Sequence, residues 1–529
     1  MFEGRPAGGA PVRRDCAAAC GLAGAALALL AACAQAAPAP GARDLREKVE
    51  AYRATHEAAI VGELVDLTRM RSIASDPAAL AATADALEGM LRARGFKTAQ
   101  LRDTAATPAL VFGSFKVSGA RRTVVFYAHY DGQPVTPSQW SSAPFTPLMQ
   151  SDPAGGAVHK IDWQATRPPF DPQWRLHGRA IADDKASIVA FLAAFDALRA
   201  AGENPAVSIK VVWDGEEEAG SPHIGTILAA NKDRLSGDLW LIGDGPVHQS
   251  RLPTLYFGAR GTCGVELTVY GPQRALHDGH YGNWVPNPAV MAAGLISSLR
   301  DEEGRILIPG FGDDVRALPQ QARSAVGRLP PVEDTLRREF GIARSEGDEG
   351  LTASTLRPAI NVRGIRSGAV GAETANAIPA DATVSIDFRL VPDQTPARVR
   401  EQVEAFLRSR GWTLVSDPPD SAARLAHPRI VRLAWEPGYP ALRTDMSSPA
   451  ARAVIQAAES SAAGRIALLP MMGGSVPIYL FADLFKVPVI GLPIVNHDDN
   501  QHAADENLRL QNLWDGIDLY AAMLARLSF

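Results

Sequence analysis

The chain has 529 residues, 46% hydrophobic and 21% charged, with a formal net charge of −5, the balance of an ordinary globular protein of up to about three domains. The slight acidic excess speaks against a nucleic-acid partner, which a basic surplus would announce. With four cysteines in so long a chain, stability rests on a core and not on disulfide staples.

Residues 1–36 read as an export signal. Arg13 and Arg14 precede the small apolar run CGLAGAALALLAAC, which is too short and alanine-rich for a membrane span of ~20 residues. Two cleavage readings stand side by side. LAAC, Leu30 to Cys33, fits a lipoprotein box that would leave Cys33 as a lipid anchor; AQA, Ala34 to Ala36, fits ordinary signal peptidase. Either makes the mature chain periplasmic or membrane-anchored, and the alternative is a start codon placed upstream of a cytoplasmic protein. Cys16, Cys20 and Cys33 lie in or at the signal, so Cys263 alone remains and no intramolecular disulfide is expected.

From Asp44 to about Arg94, apolar residues at three- and four-residue spacing predict helix. Strands and helices then alternate. TVVFYAHYD is a buried strand, DDKASIVAFLAAFDALRAAG a helix closed by Gly202, AVSIKVVWDG a strand, SPHIGTILAANKDRL a short helix and DLWLIGDG a strand. These lengths predict an α/β fold with a mostly parallel sheet covered by helices. After YFGARGTCG the character changes. GVELTVYG alternates like a half-solvated strand, and residues 308–349 are charged and rich in Pro and Gly. ATVSIDFRLVP, a helix at TPARVREQVEAFLRSRG, and RIVRLAWE follow, as in a separate α+β unit. From Ser447 the α/β pattern resumes with a helix at Pro449 to Ser461, the strand VPVIGLP and a helix at Asn512 to Leu527. The expected organisation is an α/β domain in two parts, 44–261 and 443–529, with an inserted domain at 262–442.

Polar residues gather at the strand ends, where open α/β sheets bind ligands. His129 and Asp131 end TVVFYA, Asp183 and Asp184 open the helix DDKAS, Glu216 to Glu218 end IKVVW, Asp244 ends DLWLI, and VNHDDNQHAADEN offers His497 and His502. Singly, each has a plain structural role: a loop histidine, an N-cap aspartate, a first-turn glutamate. Together they place at least six carboxylates and two or three imidazoles at one sheet edge, with Lys185 as hardly any compensation. Divalent metals compensate such a set, and zinc accepts mixed His and carboxylate ligation. The donor count fits two ions better than one.

AHYDGQPV, GRAIADDKAS, DGEEEAGS, IGDG and DDNQHAADEN resemble the motif series of the dinuclear zinc metallopeptidases that include carnosine dipeptidases, carboxypeptidase G, aminoacylases and acyl-amino-acid desuccinylases. GPQRALHDGHYGNWVPNP, TANAIPADATVSIDFRLVP and GGSVPI resemble segments of the dipeptidase-like branch, and the resemblance runs in order from about Glu63 to Leu510. It implies two divalent ions, most simply Zn2+, held by His129, Asp183 as the bridge, Glu218, Asp244 and His502. It implies Asp131 as the carboxylate behind a ligand imidazole and Glu217 as the general base. His277 matches a lid histidine that reaches a partner subunit's site in relatives, and Asn376, Arg389 and Ser475 match substrate-contacting positions, Arg389 suiting a carboxylate. The inserted domain would be a lid and homodimer interface. The implied reaction is hydrolysis of an amide bond in dipeptides, short peptides or N-acyl amino acids; a silent binding protein would be expected to have lost Glu217 or a ligand.

The chain departs from these relatives before GGS. They often carry Arg-Glu there, and the acid can hold a free amine; here the pair is Met471-Met472. Either the amine is not read through this loop, and the substrate is N-acylated, longer or more hydrophobic, or both thioethers only pack. The Pro- and Trp-rich stretch GAVHKIDWQATRPPFDPQWR either lines the cleft or decorates the surface. No role is assigned to His159, His177, His223, His280 or His497.

Overall fold

The computed structural model describes residues 40–151, 157–462 and 464–529. The expected export signal, with Cys33, lies outside the described residues. Strands β1 (Lys97–Leu101), β2 (Leu110–Phe115), β3 (Thr123–His129), β4 (Ser208–Asp214), β5 (Leu239–Ile242) and β6 (Thr254–Tyr256) come first. Then follow β7 (Gly261–Tyr270), β8 (Ala359–Arg366), β9 (Asp381–Leu390), β10 (Thr413–Val415) and β11 (Ile430–Trp435), and finally β12 (Ala467–Leu469) and β13 (Val489–Gly491). The first and last groups make one eight-stranded sheet, ordered β1-β2-β4-β3-β5-β13-β6-β12. Its central strands β4, β3, β5 and β13 run parallel, while β1 and β2 are antiparallel at one side. The middle group makes a separate five-stranded sheet, ordered β8-β9-β7-β11-β10.

The continuous apolar run of β3 is explained by burial on both faces. Val124, Phe126 and Ala128 enter the core under the helices Pro40–Arg69, Ala186–Ala200 and Leu510–Arg526, while Val125 and Tyr127 enter the core on the opposite face. Burying each of the valines and Phe126 contributes roughly 1.5–3 kcal/mol. In β7 the alternation has the expected cause: Cys263, Val265, Leu267 and Val269 point into a core of their own with Val384, Ile386 and Val399, and Glu266 stays exposed.

Two expectations need correction. The stretch Asp44–Arg94 is two helices, Pro40–Arg69 and Pro77–Ala93; Asp76 caps the second by accepting from Ala79 N at 3.1 Å, and Pro77 occupies its first turn. The helix expected from Asp183 begins at Ala186, because Asp183 and Asp184 have non-helical backbone angles. Of the two readings of the Pro- and Trp-rich stretch, the surface one fits most of its described residues, which are exposed or half-buried and anchored on helix Pro40–Arg69: Phe170 is buried, its N–H donates to Glu57 at 2.6 Å, and Trp163 lies against Gly62. Residues 308–349 are more ordered than their composition suggests. Helix Gln320–Val326 packs on the edge strand β12, sending Ala322 and Ala325 into the main core, which shields an edge that would otherwise offer unpaired backbone groups.

Candidate active site

The parallel strands deliver their polar residues to one edge. His129 closes β3 fully buried, its Nε2 2.9 Å from Asp183 Oδ1. Its Nδ1 is 3.4 Å from Asp131 Oδ1. Asp131 also reaches the next strand end, where its two carboxylate oxygens accept the N–H groups of Glu217 and Glu218, at 3.1 and 3.0 Å. One buried carboxylate thus orients an imidazole and both glutamates.

The turn after β4 separates the three glutamates. Asp214 is spent on structure, accepting from Ser221 Oγ at 2.7 Å and from Glu216 N at 3.1 Å. Gly215 must be glycine, since a Cβ there would lie 2.2 Å from the Tyr130 hydroxyl. Glu216 is buried and holds His223, accepting from its N–H at 2.9 Å with the ring Nδ1 also at 2.9 Å. Glu217–Ala219 form a single 3-10 turn, from which Glu217 faces His129 and Asp244 while Glu218 faces Asp183 and His502.

Asp183 occupies the centre. Its Oδ1 meets His129, and its Oδ2 meets His502 Nε2 at 3.1 Å and Gln501 Nε2 at 2.8 Å. His502 Nε2 also lies 3.2 Å from Glu218 Oε2, which accepts from Gln133 Nε2 at 2.7 Å. Asp244 ends β5 buried, and Gly245 at φ +105° turns the chain away after it.

The side chains of Asp183 and Asp184 do not cap the helix that follows, for Ala186–Ala200 has no side-chain cap. Instead Glu506, fully buried, grips the segment that carries Asp183. Its Oε1 accepts from Ala182 N at 2.9 Å and Asp183 N at 3.1 Å; its Oε2 accepts from Ala180 N at 3.0 Å and Arg179 Nη1 at 2.8 Å. Lys185 offers no compensation to the cluster. It points into the core and donates to Leu67 O at 3.1 Å and Met70 O at 3.0 Å, at the end of the first helix, and burial pulls its pKa down to about 7.

The electrostatics report the cation that this cluster is built for. Burial, then Asp183, pushes Asp244 up to about 7. Burial, with Asp244, Asp183 and Glu218 nearby, raises Glu217 well above the usual carboxylate range. Bonds to Asp183 and Glu218 raise His502 to about 10. Burial works against charge on His129 and on Asp183, yet bonds win: Asp131, then Asp183, raise the imidazole, and His129, then His502, hold the Asp183 carboxylate low. Protons are held where positive charge is needed. His129, Glu217 and Asp244 bring ligand atoms within 4.8 Å of one another, and Asp183, Glu218 and His502 do the same. One Asp183 oxygen faces each group. The donor set is that of a dinuclear divalent-metal site, and its imidazoles and carboxylates suit Zn2+.

The other expected residues fall into two places. Arg389 on β9 donates from Nη1 to Ser475 Oγ at 2.7 Å and from Nε to Asp387 Oδ2 at 2.7 Å. His277 and Asn376 meet on a short ribbon of the middle region, where His277 pairs with Ala377 and Asp278 N donates to Asn376 O at 3.2 Å. Both are exposed, and among the described residues no hydrogen bond or ion pair joins either to the metal cluster. Met471 is buried with Leu356 and Val391; Met472 packs half-buried, its methyl 3.5 Å from where a Cβ on Gly245 would lie. Gln133, Gln501 and Glu506 were not anticipated. Gln501 adjoins His502 in sequence, but only the fold brings Gln133 and Glu506 to the site.

A mixed α/β sheet, parallel at its centre, with a carboxylate placed between two His/carboxylate groups at its strand ends defines a dinuclear metallohydrolase. A model described as "Peptidase family M20/M25/M40" matches residues 125–526. The chain belongs to this peptidase family. It is 26% identical over 429 residues to the Cys-Gly metallodipeptidase dug1 of Schizosaccharomyces pombe, covering 80% of this chain and 83% of that one. It is 24% identical over 435 residues to the human Beta-Ala-His dipeptidase, covering 80% and 78%. Among solved structures, the M20 family metallo-carboxypeptidase Sso-CP2 of Sulfolobus solfataricus superposes with a TM-score of 0.71 at 25% identity, covering 88% of this chain and 99% of that one. Human carnosine dipeptidase 1 gives 0.71 at 21% identity, covering 92% and 99%.

Proposed function

We propose that the protein hydrolyses the amide bond of a dipeptide, short peptide or N-acyl amino acid that carries a free carboxylate. The observation that carries this reading is Asp183, whose two oxygens address His129 and His502 separately, as a bridging ligand requires. His129, Asp183 and Asp244 would hold one ion, and Asp183, Glu218 and His502 the other. When bound, the two ions supply Lewis-acid polarisation of the scissile carbonyl and make water a better nucleophile. Glu217 takes the proton from the attacking water and returns it to the leaving amine; burial and neighbouring carboxylates have already raised its affinity for a proton. Asp131 fixes the direction of that carboxylate through the Glu217 N–H and steadies the His129 ring. Arg389, pre-oriented by Asp387 and Ser475, receives the substrate carboxylate.

The dipeptidase names of the relatives support peptides as the first substrate class to test. Met472 beside Gly245 supports a second: an apolar side chain there offers nothing to an ammonium, which favours an acylated amine. The buried Met471 is simply packing. Residues 262–442 act as a lid and homodimer domain, with exposed His277 and Asn376 serving the partner's site; exposed Trp284, Val290 and Ile365 in the same region support an interface. Export with residues 1–36 removed, or Cys33 lipidated, remains part of the reading, and cell fractionation with a Cys33→Ser variant tests it. The function itself is tested by kinetics of the zinc-loaded protein on Ala-Ala-type dipeptides, their N-acetyl forms and their C-terminal amides. Turnover dependent on metal and on a free carboxylate is expected; equal rates on acids and amides would refute the role of Arg389.

A further inference from the structure

Away from the metal cluster lies a cavity of about 480 Å3, walled by Arg316 and Pro319 of the stretch after residue 308, by Arg443 and Met446, and by Pro470. Its charges are unevenly matched. Arg316 is held by Asp393 through two bonds, Nε at 2.8 Å and Nη2 at 2.6 Å. Asp445 Oδ1 accepts from Ser447 N at 2.8 Å and Ser447 Oγ at 2.7 Å. Arg443 is different: half-buried, it has no side-chain hydrogen bond or ion pair among the described residues, and its Nη2 is buried without an acceptor. Burial, then Arg316, lowers its pKa and the charge of Asp393 only partly opposes them, so the fold holds this guanidinium at a cost and bonds it to no acceptor among the described residues. A guanidinium carries five donors in a fork that fits a carboxylate, and a buried one left unpaired is rare.

We infer that this cavity is a second ligand site, taking a small organic carboxylate whose anionic end pairs with Arg443 and whose body lies against Pro319, Ala322, Met446 and Pro470. A single unmatched monovalent cation above an apolar floor favours a monoanion with a hydrocarbon body over a phosphate dianion. The site also has a route to the reaction. Pro470 directly precedes Met471, Met472 and the loop to Ser475, and Asp393, which holds Arg316, follows β9 with its Arg389. An occupant therefore touches the segment that leads to Ser475 directly, at Pro470, and the segment of Arg389 only through Arg316 and its bonds to Asp393; this coupling, unlike the binding itself, rests on the role proposed above for Arg389.

Isothermal titration of the metal-loaded full chain with isocaproate and with isocaproamide tests the site. One saturable carboxylate site is expected, with the amide at least tenfold weaker. Arg443→Gln should raise the Kd for isocaproate at least tenfold and Arg443→Lys less, with kcat/KM in the absence of isocaproate unchanged in both. Undiminished binding to Arg443→Gln, equal binding of the amide, stronger binding of inorganic phosphate, or no saturable binding to the wild type would each overturn it. If binding behaves as expected but leaves KM unchanged, the coupling through Arg389 fails while the site stands.

Discussion

Replacing Glu216, Glu217 and Glu218 singly by glutamine separates three jobs held by consecutive residues. Glu217→Gln keeps volume and leaves the Asp131 bond to its N–H intact, since that bond is to backbone. Asp244 and Asp183 are needed as donors and Asp131 is occupied by two backbone N–H groups, so none of these three stands in for it. The whole acid–base contribution is then lost, ~10²–10⁴ in kcat, or ~2.7–5.4 kcal/mol of barrier, with both metals retained. Glu218→Gln removes a charged donor from the group with Asp183 and His502, so metal content should fall toward one ion per chain. Glu216→Gln disturbs only the hold on His223 and should keep both metal and turnover. Steady-state kinetics paired with elemental analysis of each variant reads these outcomes. A metal-replete, inactive Glu216→Gln, or a Glu217→Gln that loses metal, would refute the assignment.

Glu506→Gln replaces one acceptor oxygen by a donor against a ring of N–H groups, and should weaken metal binding ~10–100-fold in a chelator competition; unchanged affinity would mean that Glu506 does not position Asp183. Because Asp244 near 7, the raised Glu217 and His502 near 10 hold protons without metal, loading at neutral pH should release protons and tighten as pH rises. Titration in two buffers of different ionisation enthalpy measures that release, and none would contradict the electrostatics. Asp498 lies between Arg175 at 2.5 Å and Arg509 at 2.9 Å; burial opposes its charge, but Arg175 and then Arg509 hold its pKa well below the usual 3.8. A depressed folded-state value stabilises the fold above pH 3.8 and is lost as pH falls below it, so Asp498→Asn should cost about 2 kcal/mol in urea unfolding at neutral pH and less near pH 3. A deficit independent of pH would rule out the ion pairs as its source.

Much of this was legible in the chain because the signals are local. Apolar periodicity gave β3, β4, β5 and the helix Pro449–Ser461, and the carboxylate crowding at strand ends announced a cation before any geometry was known. Where the reading failed, a distant partner decided. The charge of Lys185 sits beside Asp183 and Asp184 in sequence, yet its ammonium goes to the backbone carbonyls of Leu67 and Met70. A glutamate in HAADEN looks like loop solvent contact until its four bonds to residues 179–183 are seen. The break after Arg69 was encoded in Ser-Asp-Pro, but helical periodicity on both sides masked it.

The sequence by itself determined the alternation of elements, the family-like motifs and the identity of the donor atoms, since these depend on residue type and short spacing. Only the tertiary structure decided that Asp183 addresses both groups, that Asp131 aims two glutamates as well as an imidazole, and that the Arg443 side chain has no hydrogen bond or ion pair among the described residues. Those facts are relations between side chains far apart in the chain, and distances of 3 to 4 Å between them exist only after the sheet has brought its strand ends together.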